Sequence, residues 1–172
     1  EMYEDLVVSE PYYNKNIMFS PLSISMAMAM TYAGADGNTK EQMTEVMHFD
    51  TAADTEENLH KFYHEVLKVF EVSSNPYVLQ IANKLYGRKG VKFEEAFEDV
   101  TADQYNALIE KLNFDDVDDV VEHINNWVAE WTKMKVRHFL SEDDISEDTS
   151  LLLINAIYFF GKWAQGFNAN DT

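Results

Sequence analysis

The chain has 172 residues, of which 46% are apolar and 13% aromatic, so general disorder is excluded and a core can be buried. Its 13 basic and 31 acidic side chains leave a formal charge of −18, which repels phosphate backbones and argues against nucleic-acid and anionic-membrane partners. There is no cysteine, so disulfides, thiolate catalysis and cysteine-ligated zinc are excluded. Glu1–Ser9 reads as the tail of a helix; with neither a basic start nor an apolar centre it is not patterned as a signal peptide. Asn16–Phe19 is a short apolar run suited to a strand. Ser20-Pro21 then marks a helix start, a serine N-cap followed by proline at the first helical position. Residues Ser23 to Met30 alternate with period two. Alanine and methionine nevertheless form helices far better than strands, so a helix buried all round is expected, ended by Gly34. Thr39 and Gln42 have capping-box spacing for a short helix to about His48. Thr55-Glu56-Glu57 opens another helix with acids at the positive end of its dipole. The apolar face expected there is Leu59, Phe62, Tyr63, Val66, Leu67 and Phe70.

Further along, Tyr77–Tyr86 is strand-like and closed by Gly87, and Phe93, Ala96, Phe97 and Val100 make a helical stripe. Ala107–Leu112 is a weak strand. Val117, Val120, Val121, Ile124, Trp127, Val128 and Trp131 form the clearest helical stripe. Asp115 and Asp116 precede it, while Lys133, Lys135 and Arg137 stand at its end, both suiting the dipole. Leu151–Phe160 is a nearly continuous apolar run, as a strand covered on both faces requires. Its aromatic and branched content and Gly161 favour strand over buried helix. The fold class is therefore α+β. The two most apolar stretches, Ile24–Ala35 and Leu151–Gly161, are shorter than the ~20 residues that span a bilayer.

Little of this chemistry suggests an enzyme. His60 and His64 share a helix face at metal-ligand spacing, but no third ligand is evident and a solvated helix edge is the default. Asp115, Asp116, Asp118 and Asp119 lack the alternation and central glycine of a calcium loop and read as a capped helix start. Ser20 and Ser23 have no evident base, so neither is read as a nucleophile. Methionines 26, 28 and 30 are core packing. The residue that stands out is Asn155, which inside an apolar strand must find hydrogen-bond partners or cost ~1–3 kcal/mol. It reads either as a satisfied core asparagine or as a polar lock holding its strand to something beneath. The hydroxyls of Ser20 and Ser23 are the candidate partners.

Taken together, several segments resemble the serpin family. Asn16-Ile17-Met18-Phe19-Ser20-Pro21-Leu22-Ser23-Ile24 is similar to its strand-into-helix signature, and Gly34-Ala35-x-Gly37-Asn38-Thr39 to the turn that follows. Ile81-Ala82-Asn83-Lys84-Leu85-Tyr86-Gly87 resembles strand 2 of the main sheet, sheet A. Ile124-Asn125-x-Trp127-Val128 resembles the helix lying across that sheet. Leu153-Ile154-Asn155-Ala156-Ile157-Tyr158-Phe159-x-Gly161-Lys162-Trp163, followed by Phe167, resembles strand 3. The matches run in family order over essentially the whole chain.

The resemblance implies a suicide inhibitor of serine, or sometimes cysteine, proteases. A bait loop is cleaved, the protease is held as an acyl-enzyme, and the loop inserts beside strand 3 of sheet A. The rival implication is a non-inhibitory carrier, storage or chaperone protein. Ser20, Ser23 and Asn155 match the shutter, where the sheet opens, and Trp163 matches the breach, where insertion begins. Residues 1–172 are expected to be the N-terminal portion of a single serpin domain. The reactive loop and C-terminal half would then come from a second chain or further segment, which an open apolar edge at Leu151–Phe160 would require. Lys133-Met134-Lys135 departs from the family, which has a glycine before the lysine, so the turn there is expected to differ. No cofactor is implied. Heparin-activated members use basic residues near the helix matching Thr55–Glu71, but here it carries only Lys61 and Lys68 among Glu56, Glu57, Glu65 and Glu71, so no heparin binding is expected through this half. Asn170-Asp171-Thr172 is a glycosylation sequon, relevant if the protein is extracellular, as the family suggests, rather than intracellular, as other members are.

Overall fold

Ser20 begins helix α1 (Pro21–Ala33): its backbone is extended, its Oγ accepts the Ser23 N–H at 3.2 Å, and Pro21 occupies the first turn. These atoms belong to a computed structural model, which describes residues 4, 7, 8, 15–70 and 77–166. The helix expected over Glu1–Ser9 lies mostly outside the described residues, although Glu4, Val7 and Val8 are helical. Asn16–Phe19 is not a strand. Among the described residues no strand runs beside it to complete a ladder, and Met18 is 99% exposed. Helix α1 buries Ser23, Met26, Ala29, Met30 and Tyr32, and Gly34 caps its end.

Helix α2 (Gly37–Met47) starts at an Asp36 N-cap that makes no side-chain cap bond. The Thr39–Gln42 capping box therefore does not form, because both residues already lie inside the helix. A single turn, α3 (Phe49–Ala52), leads to α4 (Glu56–Phe70), where the Thr55 hydroxyl accepts the Asn58 N–H at 3.2 Å. The buried face of α4 is Leu59, His60, Tyr63 and Leu67, whereas Phe62 is 53% exposed. The helix is thus rotated from its expected setting, bringing His60 inward, where a hydroxyl meets it.

Strand β1 (Tyr77–Arg88) runs past Gly87, which does not close it. A Cβ on Gly87 would stand 2.6 Å from the Phe93 ring and 3.0 Å from Ile109 Cγ2, so glycine serves close approach rather than a turn. Helix α5 (Glu95–Tyr105) begins after Phe93 and buries Phe97, Thr101 and Tyr105. Strand β2 (Ile109–Leu112) follows, then α6 (Val117–Trp131), a short 3-10 turn (Glu142–Asp144) and β3 (Leu151–Gly161). Asp116 caps α6 by accepting the Asp119 N–H. Lys133, Lys135 and Arg137 fall beyond the last turn rather than within it, because Thr132 ends the helix and Lys133 and Met134 turn left-handed, with φ of 51° and 63°.

The sheet has the order β2-β1-β3. β1 is parallel to β2, with Leu85 opposite Ile109, and antiparallel to β3, with Asn83 opposite Asn155. Because side chains alternate along a strand, the sheet separates two cores. Leu85 joins Met26, Met30, Leu59, Tyr63, Phe97 and Tyr105 beneath α1, α4 and α5. Tyr86 and Ile154 join Phe114, Val120, Ile124 and Val128 beneath α6. The architecture is α+β, as the pattern of elements requires.

β3 is a strand, but its cover is partial. Ile154 and Ala156 are buried, whereas Ile157, Phe159 and Phe160 are 40%, 66% and 50% exposed. At the middle of the strand the face carrying Ile154 and Ala156 is buried, while the face carrying Leu153 and Asn155 is half-buried, so the expected burial on both faces is only partly met. Towards Gly161 both faces open, and among the described residues β3 is an edge.

Candidate functional site

The site is where α1 meets the middle of the β1–β3 ladder. A strand amide that faces another strand amide in register can donate across the pair. Asn155 Nδ2 donates to Asn83 Oδ1 at 2.7 Å. The Asn155 Oδ1 accepts from the Ser23 hydroxyl of α1. Asn83 Nδ2 in turn donates to the thioether of Met26 at 3.3 Å, a weak acceptor that lies one helical turn from Ser23. Ser23, Asn83 and Met26 are buried and Asn155 half-buried. The network therefore joins two strands to the helix under them, in surroundings where an unpaired amide is costly.

Of the two hydroxyls proposed as partners for Asn155, Ser23 makes the contact. Ser20 is given to the α1 cap and acts one step removed, by holding the Ser23 backbone. Each serine hydroxyl has a structural use, Ser20 in the α1 cap and Ser23 on Asn155, rather than a pairing with a base. Asn83 was missed in the sequence, although it interrupts an apolar strand pattern just as Asn155 does. What the sequence lacks is the register that sets the two amides opposite one another.

Other candidates fall elsewhere. Trp163 lies just past the end of β3 and is 74% exposed, away from the amide network. Asn170 lies outside the described residues. His60 is not a solvated edge: it is 3% exposed and its Nδ1 meets the Tyr105 hydroxyl at 2.6 Å. Burial holds its imidazole below the ordinary value. Asp115 pairs with Arg88 at 2.8 Å, Asp116 caps α6, and Asp118 and Asp119 stand in its first turn, as a capped helix start requires. Among the described residues no group of three or more His, Asp or Glu side chains is placed to hold a metal ion, and no helix is long and apolar enough to cross a membrane.

The family model for serpins, serine protease inhibitors, matches residues 1–172. The chain belongs to the serpin family. It is 40% identical over 166 residues to a leukocyte elastase inhibitor of Xenopus tropicalis, covering 96% of this chain and 43% of that protein. Human Serpin B8 is 35% identical over 167 residues, with 96% and 44% covered. Among solved structures, emu ovalbumin superposes with a TM-score of 0.91 at 30% identity, over 99% of this chain and 46% of that one. A cleaved Serpin 42Da gives 0.87 at 28% identity, over 98% and 43%. This serpin chain thus spans less than half the length of the relatives it matches. Its described strands and helices have the arrangement of the matching part of the serpin fold in those structures.

Proposed function

We propose that the protein carrying this chain is a suicide inhibitor of serine, or alternatively cysteine, proteases, and that residues 1–172 form the N-terminal portion of its serpin domain, supplying sheet and shutter rather than bait. One observation carries this reading: β3 is a long apolar strand, bonded in register to β1 and pinned at mid-length by Asn155 to Ser23 of α1 and to Asn83 of β1. A strand that must part from a neighbour to admit another needs such a defined latch, because backbone pairing alone has no single point of release. The amide network supplies a point at which the ladder and α1 separate together or not at all. In this reading Ser20, Ser23 and Asn155 form the shutter and Trp163 marks the breach. The serpin-inhibitor names among the relatives support an inhibitor over an enzyme. Of the two locations that the family leaves open, the group-B names favour the intracellular one.

The test is incubation of the full-length protein with trypsin-like and chymotrypsin-like serine proteases, and with a papain-like cysteine protease. A covalent band that survives denaturing electrophoresis is expected with at least one. Clean cleavage without such a band, across all three, would favour the non-inhibitory carrier, storage or chaperone alternative.

A further inference from the structure

Away from the shutter, His60 is a buried imidazole that the proposed function does not use. We propose that His60 is an acid-sensitive fastening between α4 and α5, and that protonating its ring loosens α4 from the helical layer over the sheet. The inference stands whether or not the protein inhibits a protease.

His60 and Tyr105 are 3% and 1% exposed, and their rings meet edge-on with centroids 5.6 Å apart. Nδ1 lies 2.6 Å from the Tyr105 hydroxyl. Nε2 is buried without a hydrogen bond, 3.6 Å from Glu56 Oε1. The network selects one neutral tautomer, with the proton on Nε2 directed at Glu56 and Nδ1 accepting from Tyr105. Burial raises the Tyr105 hydroxyl well above its ordinary value, so it keeps its proton and remains able to donate.

A second proton must bind at Nδ1, which disrupts this arrangement. Tyr105 then has to accept, and its own hydrogen turns toward the apolar cluster containing Tyr63, whose ring is 6.1 Å away. The new imidazolium is buried with a single carboxylate near it. That carboxylate, Glu56, is already held at 2.6 Å by Lys40 of α2, whose own charge opposes a second cation. The remaining neighbours offer no compensation. α4 itself adds Tyr63 and His64, α1 brings Ser25, whose hydroxyl contacts that of Tyr63 at 2.5 Å, and β1 presents apolar Leu85. A buried cation so poorly matched is relieved by opening α4 to water.

The sign follows from linkage. A histidine whose folded-state pKa is depressed contributes stability above its unfolded value of 6.5, and that stability is lost as pH falls through the folded value. Hydrogen exchange across residues 56–70 of the full-length protein, corrected for intrinsic rate, tests this between about pH 8 and about pH 5. Protection of α4 is expected to fall as the pH drops below about 6.5, by at most about tenfold per pH unit, and to level off once the buried ring is itself protonated, while α6 keeps its protection. His60→Gln should flatten this response and His64→Gln should retain it. Tyr105→Phe removes the donor to Nδ1 and should raise the pH midpoint at which the buried ring protonates, so that the loss of protection levels off sooner. Ring NMR of His60 in the unaltered protein reads the same titration and tautomer directly, so a poorly folding variant does not decide the matter. An unchanged pH profile in His60→Gln, an unmoved midpoint in Tyr105→Phe, or an Nδ1-protonated neutral ring would each overturn the proposal.

Discussion

At the scale of single residues, the structure turns on where polar groups sit in apolar surroundings. Removing Asn155 leaves the Ser23 hydroxyl and the Asn83 carbonyl without their partner in a half-buried site. Asn155→Ala should therefore cost about 1–3 kcal/mol, read as a lower urea midpoint at unchanged m-value in the full-length protein. Ser23→Ala attacks the same bond from the other side, so the double variant should lose clearly less than the sum of the singles. Strict additivity would show that the two groups act independently and that the network is not a unit. Asn155 was legible in the sequence because an amide in an apolar run demands a partner. Asn83 was not, because cross-strand register is a property of the folded ladder. Met134 presents the opposite case, a conflict visible in both. The resemblance places a glycine here, and the backbone at Met134 is left-handed, with φ 63°. A side chain in that region costs about 1–2 kcal/mol, while glycine adds about 0.4–1 kcal/mol of unfolded-chain entropy. Met134→Gly should thus stabilise by up to about 1 kcal/mol, and a lower thermal midpoint would contradict this account.

At the scale of elements, periodicity identified the helices well and their edges poorly. α6 (Val117–Trp131) follows its apolar stripe, because one face is committed to the Tyr86–Ile154 side of the sheet. The setting of α4 did not follow its stripe, because the partner of His60 lies on α5, far along the chain. Gly87 shows the same limit. Glycine usually punctuates a strand, yet here it lets the Phe93 ring and the Ile109 side chain of β2 come close to the β1 backbone. No local pattern announces that contact. Gly87→Ala should displace Phe93 and cost about 1–3 kcal/mol by overpacking. Phe93→Leu, added to it, should restore part of that loss although it costs stability in the native background. If Gly87→Ala is neutral, or Phe93→Leu merely adds its own cost, the close approach is not why glycine is needed.

At the scale of the whole molecule, charge decides which partners can approach. The chain carries −18 formal charges, and several of its basic residues are held in internal pairs: Lys84 with Glu110 at 2.8 Å, Arg88 with Asp115 at 2.8 Å, Lys40 with Glu56 at 2.6 Å. The two lysines of α4 follow the same rule. Lys61 lies 2.5 Å from Glu57 and Lys68 lies 2.9 Å from Glu65, each pair on the exposed helix surface. These pairs add little stability in water, but they place a carboxylate beside each cation that a sulfated polysaccharide would seek. A polyanion approaching α4 would have to displace both carboxylates against the repulsion of the remaining surface, and counterion release from two sites is too small a gain to offset that. A folded protein containing this half should therefore pass through a heparin column at about 0.15 M salt, where surface fields are screened within ~8 Å, and should bind an anion exchanger under the same conditions. Retention on heparin that is abolished by Lys61→Gln together with Lys68→Gln would show that α4 binds the polysaccharide despite its glutamates. Retention unaffected by those changes would place the binding in the part of the serpin that lies beyond this chain.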